Sequence, residues 1–565
     1  MIPENLTYQQ FNTVSDTLRP QQIDALDTIK KWYNTQDNPK KYMIISAPTG
    51  AGKSLIAYIT SKLVQRGGGS TFLLAPFNAL LEQYERTFSP QQLALIKGQD
   101  NYDCIIRPCK YTEAPCRSNK KFSMRCAGEC PYKCAKERAK NHPICLTNLH
   151  FLLLDFDFTG SFGTRDLAVI DECHCAEKVI QGYRAIVVDQ KFLTYFNKVV
   201  SYAKNQTKGF ENYSGFIPQE LVIDNEVRKE KELFRWIDSL FSNLCKFKKD
   251  IDEYSENIQE YMKQTEKDQF VIDQYFKNCC LGEFSYEIEH VICKIANYRK
   301  HKEKTDWATN YYLDEKEDVV GFEVIPISVE FMTEDILNQF ARKLIFMSGT
   351  IDPRRFAKDL GIPFDQCEVL ELPMSFPVEN RKIFFCPVGY MNYANKEKTL
   401  PKMVSFMDDL IEKSYSTSKG IVHTTSYANA RFVFEHSRNA KRMLIHTSET
   451  KEEVLEAFYK SKNGILLSPS CTEGISLDDD LSRFQMFVKV PYLSLGDNAI
   501  KARMERDSEW YAGKTIEQIV QGSGRSVRSV SDYADTWILD GSFESLWKRN
   551  KNLFPKYFQE ALVWV

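Results

Sequence analysis

No stretch of this sequence approaches the run of about 18 apolar residues that a membrane-spanning helix requires. The first residues, MIPENLTYQQFNTVSD, are polar and acidic and lack the apolar segment of a secretory signal. The formal net charge is only −2, so no chain-wide cationic excess points to nucleic acid, and any such surface must be local. Nothing recurs at the period of roughly 20–50 residues that marks solenoids, and no low-complexity tether divides the chain. These absences predict a soluble protein of a reducing, intracellular compartment. That is the cytoplasm of a prokaryote or of a virus-infected host cell, or the nucleus of a eukaryote. In such a compartment clustered cysteines bind metal more often than they pair as disulfides.

What the sequence has is length. At 565 residues it exceeds what one core serves, which predicts three or four domains. Apolar residues make up 43% and charged residues 27%, the balance of a packed, water-soluble protein. Tyr42–Ser46 and Thr71–Ala75 read as buried strands, and 54–65 reads as a helix that Gly67-Gly68-Gly69 stops. Ile144–Thr147 and Leu167–Ile170 are further strands, so the rhythm predicts a parallel sheet covered by helices. From about Asp189 to Val320 the texture changes. Between Leu221 and Phe270, 21 of 50 residues are charged, and Leu233, Ile237, Leu240, Leu244, Phe247, Ile251, Tyr254, Ile258 and Tyr261 recur at alternating spacings of four and three. That heptad seam predicts one long helix within a helical insertion. Leu344–Met347 reads as a return to the first sheet. Beyond Leu372 the α/β rhythm resumes, with strands expected at 383–386, 420–423, 443–446, 464–468, 484–490 and 536–539.

Two short motifs carry chemistry. In SAPTGAGKSLIAY, a strand runs into a turn holding Gly50 and Gly52 and then into a helix opening with Lys53 and Ser54. Small residues let backbone N–H groups wrap a phosphate, and the helix N-terminus favours the anion. Lys53 would reach the β and γ phosphates of ATP, and Ser54 would hold Mg²⁺. A bare glycine-rich turn is the competing reading, but strand before and helix after favour the nucleotide. In LAVIDECHCAEK, Asp171 ends a strand where a carboxylate holds Mg²⁺ through water, and Glu172 can deprotonate an attacking water. Two solvated acids after a strand are the plain alternative; the phosphate loop weighs against it.

Asp171-Glu172-Cys173-His174 resembles the DEAH-type box of superfamily two helicases, and QGSGRSVRS at 521–529 resembles their final motif. The resemblance implies ATP hydrolysis between two RecA-like domains, with Gln521, Arg525 and Arg528 brought to the γ-phosphate. Spaced three apart, the two arginines would share a helix face; a basic surface helix is the alternative. LRPQQ at 18–22 resembles the base-contacting segment, with Gln22 the candidate. MSGT at 347–350 stands where the family more often has Ser-Ala-Thr, so Gly349 is a departure. GIVHTTSY at 420–427 and SPSCTEGISL at 468–477 resemble DNA-facing motifs of the second domain. Cys173 replaces the usual alanine, a small thiol that packs like a small hydrophobe.

Six cysteines fall within the 34 residues 101–134, between the phosphate loop and the DECH box. That position, with NYDC at one end and CPYKCAKERA at the other, resembles the iron–sulfur branch of these helicases, the XPD/DinG family, where four cysteines hold a [4Fe–4S] cluster. A loop this short buries too little apolar surface to hold itself, and four thiolates on one inorganic centre replace a core. Cys104, Cys116, Cys126 and Cys130 are the expected ligands, with Cys109 and Cys134 in reserve; zinc is the alternative metal. From Lys97 to His142 there are 11 Lys/Arg and 5 Asp/Glu, with Tyr102, Tyr111, Phe122 and Tyr132 interleaved. Cations for phosphates and rings for bases suit single-stranded nucleic acid, with Lys121, Arg125 and Lys133 as candidate contacts, against a merely solvated basic face.

The fold class expected is α/β, with two RecA-like parallel-sheet motor domains and two insertions in the first. The first motor domain is assigned 1–103, 143–188 and 326–372, interrupted by an iron–sulfur domain at 104–142 and a helical arch at 189–325; the second is 373–565. The function expected is an ATP-dependent DNA helicase, monomeric, with 5′→3′ travel implied by the resemblance. The cofactors expected are ATP, Mg²⁺ and a [4Fe–4S] cluster, the partner single-stranded or forked DNA with RNA left open. Two other readings stand beside it: a nucleic-acid-stimulated ATPase or translocase that separates no strands, and a redox-responsive DNA-binding module gated by ATP.

Overall fold

The computed structural model describes the whole chain except residues 4–5, 12–16, 36–38, 107, 115, 117–125, 127, 198–220, 265–280, 448, 470–476, 478 and 528. The first half contributes strands β1 (Tyr42–Ser46), β2 (Thr71–Leu74), β3 (Ala94–Leu95), β4 (Ile144–Thr147), β5 (Arg165–Asp171), β6 (Ile186–Val188), β7 (Trp307–Leu313), β8 (Val319–Pro326), β9 (Ala341–Ser348) and β10 (Cys367–Glu371). Seven of them form one sheet in the order β10-β1-β9-β5-β2-β4-β3, every pairing parallel. Successive side chains on a strand point to opposite faces, and both faces are apolar here. Ile44, Phe72, Ala168 and Phe346 enter one core; Met43, Leu73, Val169 and Ile345 enter the other. Helices α1 (Pro20–Asn34), α2 (Lys53–Arg66) and α3 (Asn78–Phe88) cover the second core. Helices α4 (Pro131–Asn141), α5 (Leu149–Phe158) and α6 (Ala176–Arg184) cover the first.

The insertion after α6 is not purely helical. β6, β8 and β7 form a three-stranded antiparallel sheet, so its first strand starts at Ile186. The long helix of the heptad seam is present as α7 (Glu230–Gln264), with α8 (Leu281–His301) against it. Leu233, Ile237, Leu240, Leu244 and Phe247 are buried with Ile288 and Ile295. The seam positions Ile251, Tyr254, Ile258 and Tyr261 lie in α7, and their side chains are outside what the structure describes. Helices α9 (Glu330–Phe340) and α10 (Pro353–Asp359) complete this half.

The second half adds β11 (Ile383–Gly389), β12 (Gly420–His423), β13 (Met443–Ile445), β14 (Ile465–Ser468), β15 (Phe484–Phe487), β16 (Asp535–Asp540) and β17 (Leu562–Trp564). They form a second parallel sheet in the order β13-β14-β12-β15-β16-β11-β17. Its helices are α11 (Lys396–Ser414), α12 (Tyr427–His436), α13 (Lys451–Lys460), α14 (Asn498–Arg506), α15 (Ser508–Ser523), α16 (Ser542–Asn550) and α17 (Lys556–Ala561).

A strap joins the insertion of the first lobe to the second. Asn498 donates its backbone N–H to Asn310 Oδ1 at 2.9 Å and its side-chain amide to Thr309 O at 2.7 Å. Arg506 pairs with Asp306, and Ala308, Ile327 and Ala499 share a small apolar cluster. β7 of the small sheet thus lies along α14.

Candidate functional site

The phosphate loop leaves β1 and enters α2 through Gly50 and Gly52, both in the left-handed region at φ +80° and +85°. A side chain there is strained, and a Cβ on Gly52 would stand 2.1 Å from the Gln22 amide nitrogen. Gln22 is buried on α1 and braces the loop: its amide donates to Ala51 O at 3.2 Å, and its oxygen accepts Arg19 N–H at 2.9 Å. Arg19 in turn donates to Gly50 O at 2.6 Å. Lys53 Nζ points back over the loop, 3.3 Å from Ala47 O and 3.6 Å from Glu172 Oε1.

Asp171 is fully buried at the end of β5. Its Oδ1 accepts the Glu172 N–H at 2.9 Å; its Oδ2 accepts Tyr84 OH at 2.7 Å and lies 3.4 Å from Ser54 Oγ. Burial first, and then the Glu172 carboxylate, push the Asp171 carboxyl up to about 6, against the pull of Lys53 and the Tyr84 hydrogen bond. A hydroxyl and a carboxylate oxygen converging beside a lysine are a hard-oxygen donor set of the kind Mg²⁺ takes with a nucleotide. Glu172 itself is left-handed, at φ 47°.

His174 carries the site across to the other lobe. Its Nδ1 is 3.1 Å from Ser348 Oγ and 3.4 Å from Glu172 Oε2, and its Nε2 meets the Gln521 amide on α15. Burial lowers this imidazole to about 4, which keeps it neutral near pH 7; Lys53 and Arg525 push the same way, so both lie within electrostatic reach. Arg525 lies beyond the helix that carries Gln521. α15 ends at Ser523, Gly524 caps it, and Arg525 follows in the turn; Arg528 lies outside the described residues. Gly524 sits against the phosphate loop, where a Cβ would stand 3.2 Å from Thr49 Oγ1.

Gly349 has a physical reason. A Cβ there would stand 2.9 Å from Ala47 O, 3.3 Å from Thr49 N and 3.5 Å from Lys53 Nζ. Tyr557, on the second lobe, donates its hydroxyl to Gly349 O at 2.7 Å. Beside these contacts a crevice of about 490 Å³ separates Ser46, Pro48 and Ile351 from Phe554, Lys556 and Tyr557.

Below the crevice the lobes meet through a buried ionic cluster. Glu177 of α6 accepts the Trp510 indole N–H at 3.2 Å and lies 3.1 Å from Lys514 Nζ, both on α15. Arg503 Nη2 lies 3.1 Å from Glu330 and 3.7 Å from Glu177 and Asp359. Arg355 of α10 bonds Asp359 and reaches Asp507 at 2.8 Å. Lys514 and Gln521, seven apart on α15, thus meet Glu177 and His174, three apart where the DECH box runs into α6.

In the cysteine-rich segment, Cys104, Cys126 and Cys130 lie within electrostatic reach of Cys116, and Cys104 and Cys130 within reach of Cys126. Burial raises the Cys116 and Cys126 thiols, and after it Cys130 and Cys104 act on both, Cys126 also on Cys116, while Lys133 lowers both. Cys134 is exposed and its thiol donates to Gly128 O at 2.7 Å; Cys109 O accepts the Cys104 N–H at 2.9 Å. Among the described residues no three His, Cys, Asp or Glu side chains converge to metal-binding distance. Lys133 stands beside the thiols, on α4. Lys121, Arg125 and the Glu473–Ser476 core of the second DNA-facing motif lie outside the described residues.

Tyr84, Glu177, Lys514 and Tyr557 escape motif reading. Only Tyr84 carries a signal: with Leu81 and Phe88 it forms the buried stripe of α3, and a tyrosine in such a stripe must find a partner for its hydroxyl.

Two parallel sheets, a phosphate loop and DECH box on one, and Gln521 and Arg525 on the other define a two-lobed P-loop architecture. The helicase C-terminal domain family matches residues 410–561, and the type III restriction enzyme, res subunit family matches residues 15–202. The ATP-dependent DNA helicase YoaA of Escherichia coli is 22% identical over 432 residues, covering 70% of this chain and 64% of YoaA. The ATP-dependent DNA helicase XPD of Sulfolobus acidocaldarius is 26% identical over 237 residues, 38% of this chain and 42% of that one. The chain therefore covers less than two thirds of either relative. A solved XPD helicase structure superposes with a TM-score of 0.61 at 15% identity, over 98% of this chain and 100% of the other. The chain is similar in sequence to these ATP-dependent DNA helicases and shares the fold of the solved XPD structure. None of its described helices is long and apolar enough to cross a membrane.

Proposed function

We propose that this chain is an ATP-dependent DNA helicase that moves 5′→3′ along single-stranded DNA and hydrolyses ATP between its lobes. The line of contacts Lys53–Glu172–His174–Gln521 carries this reading, because it runs from the phosphate loop to the second lobe. Lys53 draws the β and γ phosphates, and Ser54 and Asp171 hold Mg²⁺, which neutralises phosphate charge when bound. Water attacks the γ phosphorus in line, the bond to the β–γ bridging oxygen breaks, and Glu172 takes the water proton. Gln521 and Arg525, with Arg528, stabilise the charge on the transferring group, a contribution of about 10³–10⁵ in rate for an arginine so placed. Closing and reopening of the crevice then moves the two lobes along the strand in turn.

Cys104, Cys116, Cys126 and Cys130 hold a [4Fe–4S] cluster in this reading. Their influence on one another supports that set over Cys109 and Cys134. Four irons and four sulfides per chain in anaerobically purified protein, lost in Cys130→Ser and kept in Cys134→Ser, are expected; zinc without sulfide would replace the cluster. The function is tested with forked DNA. ATP turnover and strand separation are expected together, and both fall at least 100-fold in Glu172→Gln while ATP still binds, about the scale of a positioned general base. Turnover without separation on either fork polarity would overturn the helicase reading in favour of a translocase.

A further inference from the structure

Asp171 is asymmetrically held. Its Oδ1 is committed to the Glu172 N–H, so Oδ2 is the oxygen that faces Ser54. The strongest bond to Oδ2 comes from a residue of neither motif: Tyr84 OH, at 2.7 Å. Tyr84 lies six residues along α3 from Asn78, 1% exposed, with its ring against Phe88 at a centroid distance of 5.7 Å. Phe88 is in turn stacked on Tyr58 of α2 at 4.1 Å, so the ring is walled by the helix that bears Lys53 and Ser54. The hydroxyl sits between Ser54 and Asp171 and donates to Oδ2, the oxygen a metal would use.

We propose that Tyr84 is a positioning residue for the magnesium of the nucleotide site, holding Asp171 Oδ2 in the orientation that faces Ser54. It rests on the reading of this crevice as an ATP site. A buried carboxylate without that donor turns toward the other hydrogen-bond donors within reach, and the turned oxygen no longer faces the cation site. The bond acts on the carboxylate and not on the phosphates, so its loss weakens the metal-dependent part of nucleotide binding alone.

The test is Tyr84→Phe, which keeps the ring and removes the hydroxyl. A fluorescent ADP is titrated into the full chain in magnesium and again in EDTA, and the ratio of the two affinities is read. We expect that ratio to fall about tenfold, as for loss of a hydrogen bond to a charged acceptor, with the EDTA affinity unchanged. Manganese, which such sites bind more tightly, restores most of the loss. Both titrations use the same sample, so an inactive fraction cancels. In an Asp171→Asn background, Tyr84→Phe is expected to have no further effect. A ratio equal to wild type overturns the proposal, as does an equal loss in both media. A wild-type chain that binds ADP identically with and without magnesium overturns the underlying ATP-site reading as well, which separates the two failures.

Discussion

Gly349→Ala restores the residue that helicases of this type more often carry, and the structure predicts that it does harm here. The new methyl would stand 2.9 Å from Ala47 O, where ordinary contact begins at 3.4 Å, so something must yield by about half an ångström. The opposing atom is backbone, and it belongs to the turn that would wrap the phosphates. Thr49 N and Lys53 Nζ lie at 3.3 and 3.5 Å and close the sideways escape. On the other side, Tyr557 OH ties Gly349 O to the second lobe and resists retreat. Overpacking of this kind costs about 1–3 kcal/mol. If the loop yields before nucleotide arrives, the cost appears as lost affinity for ADP, about 5–150-fold. If it holds its shape, the cost appears as lost stability, about 2–4 °C in melting temperature per kcal/mol. Titration with a fluorescent ADP and a thermal melt on one preparation measure both parts. A variant with native affinity and native melting temperature would refute the argument that Gly349 is held by contact with the phosphate loop.

Lys514→Met leaves Glu177 and Glu517 facing each other without the ammonium that now lies 3.1 and 3.3 Å from them. Breaking a buried pair in this way costs about 3–5 kcal/mol, read as a fall in melting temperature; a shift below about 0.5 kcal/mol would mean the cluster does not join the lobes. Glu517 supplies a pH test. Burial, opposed by Lys514, raises its carboxyl to about 7, so the folded chain holds a proton there that the unfolded chain releases above 4.5. This group's contribution is therefore fully present below pH 4.5 and lost as pH rises through 7. Glu517→Gln should match wild type in melting temperature at pH 4.5 and exceed it at pH 8; an unchanged difference across that range would contradict the assignment.

The motifs were legible because each is one continuous turn whose backbone admits few residues. Gly50 and Gly52 need left-handed φ just before Lys53 and Ser54 open a helix, and Asp171 closes a strand just before Glu172. The parallel sheets were legible because strands buried on both faces, such as Met43–Ile45, read as unbroken apolar runs. Assemblies drawn from distant segments were not. Glu177 and Lys514 are 337 positions apart, and each alone reads as a charged residue on a helix. Trp307–Leu313 and Val319–Pro326 flank a charged turn, and their alternation was hidden within a segment whose charge density suggested helices throughout. Arg525 shows the limit of spacing arguments: the glycine just before it ends the helix, and no interval between arginines reveals that.

The strap between the small antiparallel sheet and α14 means that the polypeptide is not the lobes' sole hinge. They are joined by the chain running from β10 to β11, by the buried ionic cluster, and again where Asn498 and Arg506 hold Asn310 and Asp306. Any opening of the crevice therefore swings the long-helix insertion along with the second lobe, or tears the Asn498 and Arg506 contacts. A domain grown from one lobe is thereby harnessed to the motion of the other.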